Sequence, residues 1–336
     1  MSAQKLNGSK VMKGLSAFAL SCPPGRGEAP LSLCSAVAGA GINLPYVTVA
    51  CHGPGRLITL AVESRRETEV RSLLGTAFGD IVCSCGSCAV LSLFPHQSDP
   101  GIPASLFSSF GRAGLAVQGM ANSPSAMSLL VREEQLEPMS RVLFDAFTFR
   151  GCSTPDEWKA AQEGKEALYK EVVASYQEKR PKVYGVTCLT DQQIVCAVLD
   201  DPSLSPAAPV MSEAARRGLR LSLIASAPVR SNGPFHLTYC LPRAPAGEPF
   251  DLLPSPLPES PGRPAEPAAV FSMNGPHFGD RYGITSELLA ALGRGGVPLL
   301  ALNCTVASIT GAVPARDLDA ALEAIQGCFE VPSIFR

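Results

Sequence analysis

The stretch Gly275-Pro276-His277-Phe278-Gly279-Asp280-Arg281-Tyr282-Gly283-Ile284 has a counterpart much earlier in the chain, Phe94-Pro95-His96-Gln97-Ser98-Asp99-Pro100-Gly101-Ile102. In each, a Pro-His pair stands three residues before an Asp, and a Gly-Ile pair follows. An apolar helical pattern comes next and stops at Gly114 or Gly296. Ser128 and Thr310 each lie fourteen residues beyond those glycines. Phe147 and Phe329 each lie nineteen residues further on, where a second helix closes. Spacing held over that length marks a repeated supersecondary unit.

Outward from the repeat, the chain parses into four units and a linker. Residues 10–87 read as strand 14–20, helix 30–40 stopped by Gly41, strands 44–50 and 57–62, helix 67–78 and strand 81–83. That β-α-β-β-α-β order is the ferredoxin-like plan. Residues 88–150 repeat it, with strand 89–94, helix 102–113, strands 115–120 and 126–131, and helix 137–147 with Pro138 in its first turn. Residues 151–182 form a charged helical linker. Its partial apolar stripe (Trp158, Ala161, Leu168, Val172, Tyr176) suits either one-sided packing or a partner.

The third unit, 183–268, opens with a hairpin, 183–189 and 193–199, around Thr190-Asp191-Gln192. A helix from Ser205 to Arg217 and strands 219–225 and 235–241 follow, then a Pro-rich loop, 242–267. The fourth unit, 269–336, has strand 270–275, helix 286–292 and strands 299–304 and 307–313. On its last helix Leu318, Leu322, Ile325 and Phe329 share one face. The expected class is α+β: four ferredoxin-like units, paired side by side into larger antiparallel sheets. Unit one is expected beside two and three beside four, or exchanged between two chains, so that no edge strand is left bare.

Composition narrows the function. With 336 residues and 46% hydrophobic content, the chain can bury several cores. A formal charge of −2 argues against nucleic acid or an anionic membrane as partner. No apolar run approaches the ~18 residues of a spanning helix, and 1–13 lacks a signal-peptide core. The expectation is a soluble, cytoplasmic protein without a cofactor.

Of the 12 cysteines, most stand singly in apolar stretches and read as small buried hydrophobes. Cys83, Cys85 and Cys88 are the exception. Three thiols this close suit a zinc or iron–sulfur site, or a strand–turn–strand junction; no fourth ligand is evident nearby. No phosphate-cradling G-x-x-x-x-G-K-[ST] motif and no acid/base carboxylate pair stand out, so the chain is expected not to be an enzyme.

The second half resembles the regulatory region of aspartate kinases, the paired ACT domains. Val183-Tyr184-Gly185-Val186 is similar to that family's opening strand, and Val198-Leu199-Asp200-Asp201-Pro202-Ser203 to its "V-P-D-x-P-G" turn. Ser272-Met273-Asn274-Gly275-Pro276-His277-Phe278 resembles "I-V-G-x-G-M". Leu302-Asn303-Cys304-Thr305 with Ser308-Ile309-Thr310 resembles "I-S-T-S-E-I-K-I-S", and 321–330 resembles "A-V-R-A-L-H-E-A-F-E". The first half resembles the same pair more weakly. Nothing matches the kinase's opening Lys-Phe-Gly-Gly-Thr-Ser-type segment. Ser226-Ala227 replaces the family's Gln-Asn, Ser203 its turn glycine and Val306 its Glu.

The resemblance implies a freestanding amino-acid-binding regulatory protein, a homodimer, with a kinase or other biosynthetic enzyme as partner. An interaction protein with decayed pockets is the other reading. The resemblance places an effector between helix N-termini and strand edges, at His277, Phe278, Asp280 and Tyr282 in unit four and at His96 and Asp99 in unit two. Asn303, Thr305, Asn122 and Ser123 are the candidate strand contacts, and Asp201, Ser203 and Ser226 the unit-three set. The structural alternatives are that Asp99 and Asp280 cap helices and that His96 and His277 make loop hydrogen bonds.

Overall fold

The computed structural model describes residues 4–23, 28–53, 55–78, 81–94, 97–162, 180–230, 233–243, 267–275, 278, 281–305 and 308–336. At 76–78, 81–83 and 161–162 the description covers the backbone alone. The Pro-rich loop 244–266 and linker residues 163–179 lie outside the described residues.

In chain order the first half comprises β1 (Gln4–Leu6), β2 (Gly8–Cys22), α1 (Ala29–Gly39), β3 (Tyr46–His52), β4 (Gly55–Glu63), α2 (Glu67–Phe78) and β5 (Ile81–Phe94). It continues with α3 (Gly101–Ala113), β6 (Gly119–Asn122), β7 (Met127–Arg132), α4 (Leu136–Ala146), β8 (Phe147–Phe149) and α5 (Pro155–Gln162). The second half comprises β9 (Val186–Leu199), α6 (Ala208–Arg216), β10 (Leu223–Pro228), β11 (Phe235–Pro242) and β12 (Ala268–Asn274). It ends with α7 (Ile284–Arg294), β13 (Ala301–Thr305), β14 (Ser308–Pro314), α8 (Leu318–Cys328) and β15 (Ile334–Phe335).

Residues 8–94 run β-α-β-β-α-β with strand order β5-β2-β4-β3, the ferredoxin-like arrangement. The same element order recurs from β5 to β8 and from β12 to β15. The structure is thus mixed α+β with ferredoxin-like folding.

The sheets do not stop at neighbouring segments. A 13-stranded order, β11-β10-β6-β7-β5-β2-β4-β3-β13-β14-β12-β9-β15, is closed by a further pairing of β11 with β9. All strands of that order except the terminal β15 therefore lie in a ring. β2 pairs with β5, and β9 with β12, within each half. Between the halves β3 pairs with β13, Ala50 opposite Ala301 through Tyr46 opposite Thr305. β10 pairs with β6 on the other side, Ala225 opposite Ala121 and Ser226 opposite Met120. Pairing within each half is thus only part of the arrangement. The outer strands of each half need partners as well, and each half supplies them to the other.

Two expected turns are continuous strand. The hairpin at 190–192 is absent: β9 runs through it, with Asp191 in the left-handed region at φ 54°. Gln192 faces Ala268 while Leu189 faces Val270, so three steps on β9 match two on β12. β5 runs through 83–88 in the same way. Leu15 faces Cys88 and Ala17 faces Cys85, and Ser87 has φ 50°. Both are β-bulges, which use the residue types of turns without ending the strand.

Helices cover one face of the ring. Beneath α1, α2, α7 and α8 lies one core, including Phe18, Leu33, Leu60, Phe271, Leu288, Ile325 and Phe329. Beneath α3, α4 and α6 lies another, including Phe107, Phe110, Leu129, Met139, Met211 and Tyr239. The alternate strand residues form thinner clusters of mostly smaller side chains, such as Ala17, Ala61 and Ala121, and Ala225, Ala301 and Ala312. That is the period-two pattern of strands buried on both faces. At Gly311 a Cβ would lie 2.3 Å from the ring of Phe271, so glycine is required there for the backbone to meet the aromatic. No helix among the described residues is long and apolar enough to cross a membrane.

Candidate functional site

The start of α7 faces α1 across a small cleft lined by residues of both. One wall is Ala38, Asn43 and Leu44, from α1 and the loop after it. The other is Phe278, Arg281, Thr285 and Ser286. Gly283 stands before the first turn of α7 with φ 89°, a left-handed conformation that glycine adopts without a Cβ penalty. The N–H groups of a first helical turn have no partner within the helix, and the helix dipole makes that end favourable for an anion.

Around this opening the side chains are mostly committed. Ser286 Oγ donates to the Gly283 carbonyl (2.9 Å). Arg281 pairs with Glu287 (2.9 Å). Burial, and then Cys304, pushes the Cys34 thiol up to about 12, so it is neutral. Phe278 is buried and meets Phe329 edge-on, ring centroids 5.9 Å apart. Tyr282 is exposed. His277 and Asp280 lie outside the described residues.

The corresponding place in the other pair of segments is the start of α3. There the Leu221 N–H donates to the Ser98 carbonyl (2.8 Å), which ties the segment between α6 and β10 to the loop. Gln97 and Ser98 both have positive φ, 53° and 57°. Asp99 Oδ1 accepts from the Gly101 N–H (2.8 Å), so it serves the helix start. His96 lies outside the described residues.

The remaining candidates fall in three places. Asp201 organises the turn before α6, accepting from the Ser203 N–H (2.8 Å) and from Ser205 Oγ (2.6 Å). Burial works to raise its pKa, but these bonds hold it below the ordinary value. Ser203 Oγ in turn accepts from the Ser205 N–H (3.2 Å). Asn122, Asn303 and Ser226 are buried where the halves join. Asn122 Oδ1 accepts from the Ile224 N–H (2.6 Å), and Asn303 Nδ2 donates to the Ile224 carbonyl (2.9 Å) and the Asn122 carbonyl (3.2 Å). Ser123 Oγ accepts from the Ala126 N–H (3.1 Å), and Thr305 Oγ1 lies 3.0 Å from Ser308 Oγ. Both are local turn contacts.

The structure therefore brings Phe278 and the start of α7 to the cleft, and spends Asp99, Asp201, Ser123 and Thr305 on their own loops. Sequence reasoning missed the α1 wall, Ala38 and Asn43, and the first-turn residues Thr285 and Ser286. Residue pattern carries no sign of which helix faces which; only the pairing of β3 with β13 reveals it. Cys85 and Cys88 lie in β5 with Cys83, whose side chain is outside the described residues. Among the described residues no group of three His, Cys, Asp or Glu side chains gathers around a point where a metal could sit.

No protein-family model matches the chain, and no curated protein matches it. Among solved structures, the aspartate kinase from Synechocystis aligns with 98% of this chain at 15% identity and a TM-score of 0.74. The chain spans 56% of that kinase's length. The regulatory subunit of aspartate kinase from Thermus thermophilus aligns at 19% identity, covering 43% of this chain and 100% of its own, with a TM-score of 0.38. The Thermus flavus regulatory subunit aligns at 20% identity, covering 43% and 100%, with a TM-score of 0.39. The likeness is one of fold. It overturns the expectation that the chain is not an enzyme, because the structure aligned over 98% of it is an aspartate kinase.

Proposed function

We propose that the chain is an amino-acid-responsive regulatory assembly of four ACT-type units, with boundaries near 88, 151, 183 and 269. It acts on an aspartate-kinase-type catalytic unit, carried by its own polypeptide or by a partner. The effector seat is the cleft between α1 and α7. An effector's carboxylate would lie on the first-turn amides of α7, near Thr285 and Ser286, with the Asn43 side chain on the opposite wall. Asp280, three residues before the Gly283-Ile284 pair, is the acid assigned to its ammonium. What supports the reading is that a helix start, left open behind Gly283, faces a second segment's helix across a cleft lined by both.

The test is a thermal-shift screen of the protein against the twenty amino acids. One L-amino acid should raise the melting temperature saturably, and a concentration near a hundred times Kd corresponds to about 2.7 kcal/mol. Asp280→Ala and Thr285→Ala should remove the shift, while Asp201→Ala should leave it. No shift with any amino acid would sink the reading. The homodimer that goes with it is checked by sedimentation.

The Synechocystis match favours a second reading, in which the chain takes part in a working aspartate kinase. ATP-dependent phosphorylation of aspartate by the purified protein would support that reading.

A further inference from the structure

The thiols at the β5 bulge form a chemical site that neither the cleft nor the fold explains. In a regular strand, residues three apart point to opposite faces. Cys85 and Cys88 do not, because the bulge between them adds one residue to β5 against β2. Ser87 takes φ 50°, an unusual conformation for a serine, to make that bulge. Cys88 is buried in the cluster with Leu15, Ala17 and Val90, and Cys85 packs on the same cluster from its half-buried side. The Cys88 thiol donates to the Cys85 carbonyl (3.4 Å).

We propose that Cys85 and Cys88 are a reversible dithiol–disulfide pair, with Cys85 as the attacking thiol and Cys88 as the resolving one. The oxidant class is a hydroperoxide. The Cys85 thiolate attacks the terminal peroxide oxygen, the O–O bond breaks, and the leaving hydroxide or alkoxide takes a proton. Cys85 is then a sulfenic acid. The Cys88 sulfur attacks the Cys85 sulfur, and the S–O bond breaks. The departing hydroxide takes the Cys88 proton as water. Two thiols are oxidised by two electrons and one peroxide is reduced.

The surroundings suit these roles. A hydrogen bond between the Cys88 and Cys85 thiols, then Arg132, holds the Cys85 thiol below its ordinary value against the opposing effect of burial. The same bond, then burial, raises Cys88, which keeps its proton until it resolves the intermediate. Arg132 also pairs with Glu134 (3.6 Å), whose charge acts on Cys85 in the opposite direction. Burial raises Cys34, Cys196, Cys304 and Cys328 to about 11 or 12, so these thiols are poor competitors.

The experiment is treatment of the reduced, full-length protein with hydrogen peroxide, then alkylation under denaturing conditions and peptide mapping. Cys85 and Cys88 should be joined with loss of two hydrogens, and dithiothreitol should restore both thiols. Cys88→Ser should stop at the sulfenic acid and give a dimedone adduct on Cys85. Before oxidation, Cys85 should alkylate at neutral pH on the order of ten times faster than Cys152. The proposal is overturned if the crosslink maps to Cys83 or any other pair. It is also overturned if Cys85 and Cys88 stay alkylatable after peroxide. Both readouts on the unmodified sequence stand even if a variant fails to fold.

Discussion

His236 shows how far a single residue's chemistry is set by where its strand places it. It lies on β11, buried, with Nδ1 3.3 Å from Thr238 Oγ1 and its ring edge-on to His52 at 5.1 Å. Burial, and then His52, pushes its pKa down from 6.5 to about 3. Between those two values the unfolded chain binds a proton that the folded chain refuses. Stability therefore rises with pH across that window, and is lost as pH falls from about 6.5 toward 3. One such group contributes a slope of up to about 1.4 kcal/mol per pH unit. Urea unfolding of His236→Gln should show a shallower loss between pH 6 and about 4 than the parent. Equal slopes would mean that His236 is not held neutral. Nothing in the sequence singled His236 out, because a histidine on an alternating strand gives no hint of what crosses the sheet to meet it. Asp99 and Asp201 were visible as candidates for the opposite reason. Their types and loop positions suit a ligand and a helix start equally, and the structure gives them to the local turns.

Among the elements, helices and most strands were legible, since apolar spacing reports which face is buried. The two long strands were not. Asp191 and Ser87 sit among polar and glycine residues that suit a turn, and the same residues suit a bulge. The difference is whether a partner strand runs alongside, which is set by residues about seventy to eighty positions away: Ala268 and Val270 face Gln192 and Leu189, and Leu15 and Ala17 face Cys88 and Cys85. The Asp191 bulge makes its own prediction. At φ 54° a β-branched side chain is strained by about 1–2 kcal/mol, whereas glycine is not. Asp191→Val should lower stability by that amount, and Asp191→Gly should be neutral or slightly stabilising. Both substitutions remove the ion pair with Arg243, which at 3.9 Å between exposed side chains is worth little. Equal melting temperatures for the two variants would argue against a left-handed residue at this place.

At the scale of the whole molecule, the repeat in sequence becomes a near two-fold arrangement in space. The first half ends in β3 on one side and β6 on the other, and the second half meets them with β13 and β10. Related strands occupy related places, so each half offers the other what a second copy of itself would offer. The repeat foreshadowed this, but the ring did not follow from it, because closure depends on β9 pairing with β11 as well as with β12. The consequence is testable with the first half alone. A fragment spanning 1–162 keeps its own ties: β1 runs parallel to β8, the Arg150 N–H donates to the Leu6 carbonyl (2.9 Å), and Trp158 packs into the core beneath α3 and α4. It loses the partners of β3 and β6, whose bare edges and apolar inner face are a strong drive to associate. Because the halves are alike, the fragment should form a closed dimer, β3 of each copy beside β6 of the other. Light scattering after gel filtration at micromolar concentration should give twice the fragment mass, with strand content kept in circular dichroism. A folded monomer would show that the edges are not what holds the halves together. An unfolded or polydisperse fragment would show that one half cannot stand in for the other.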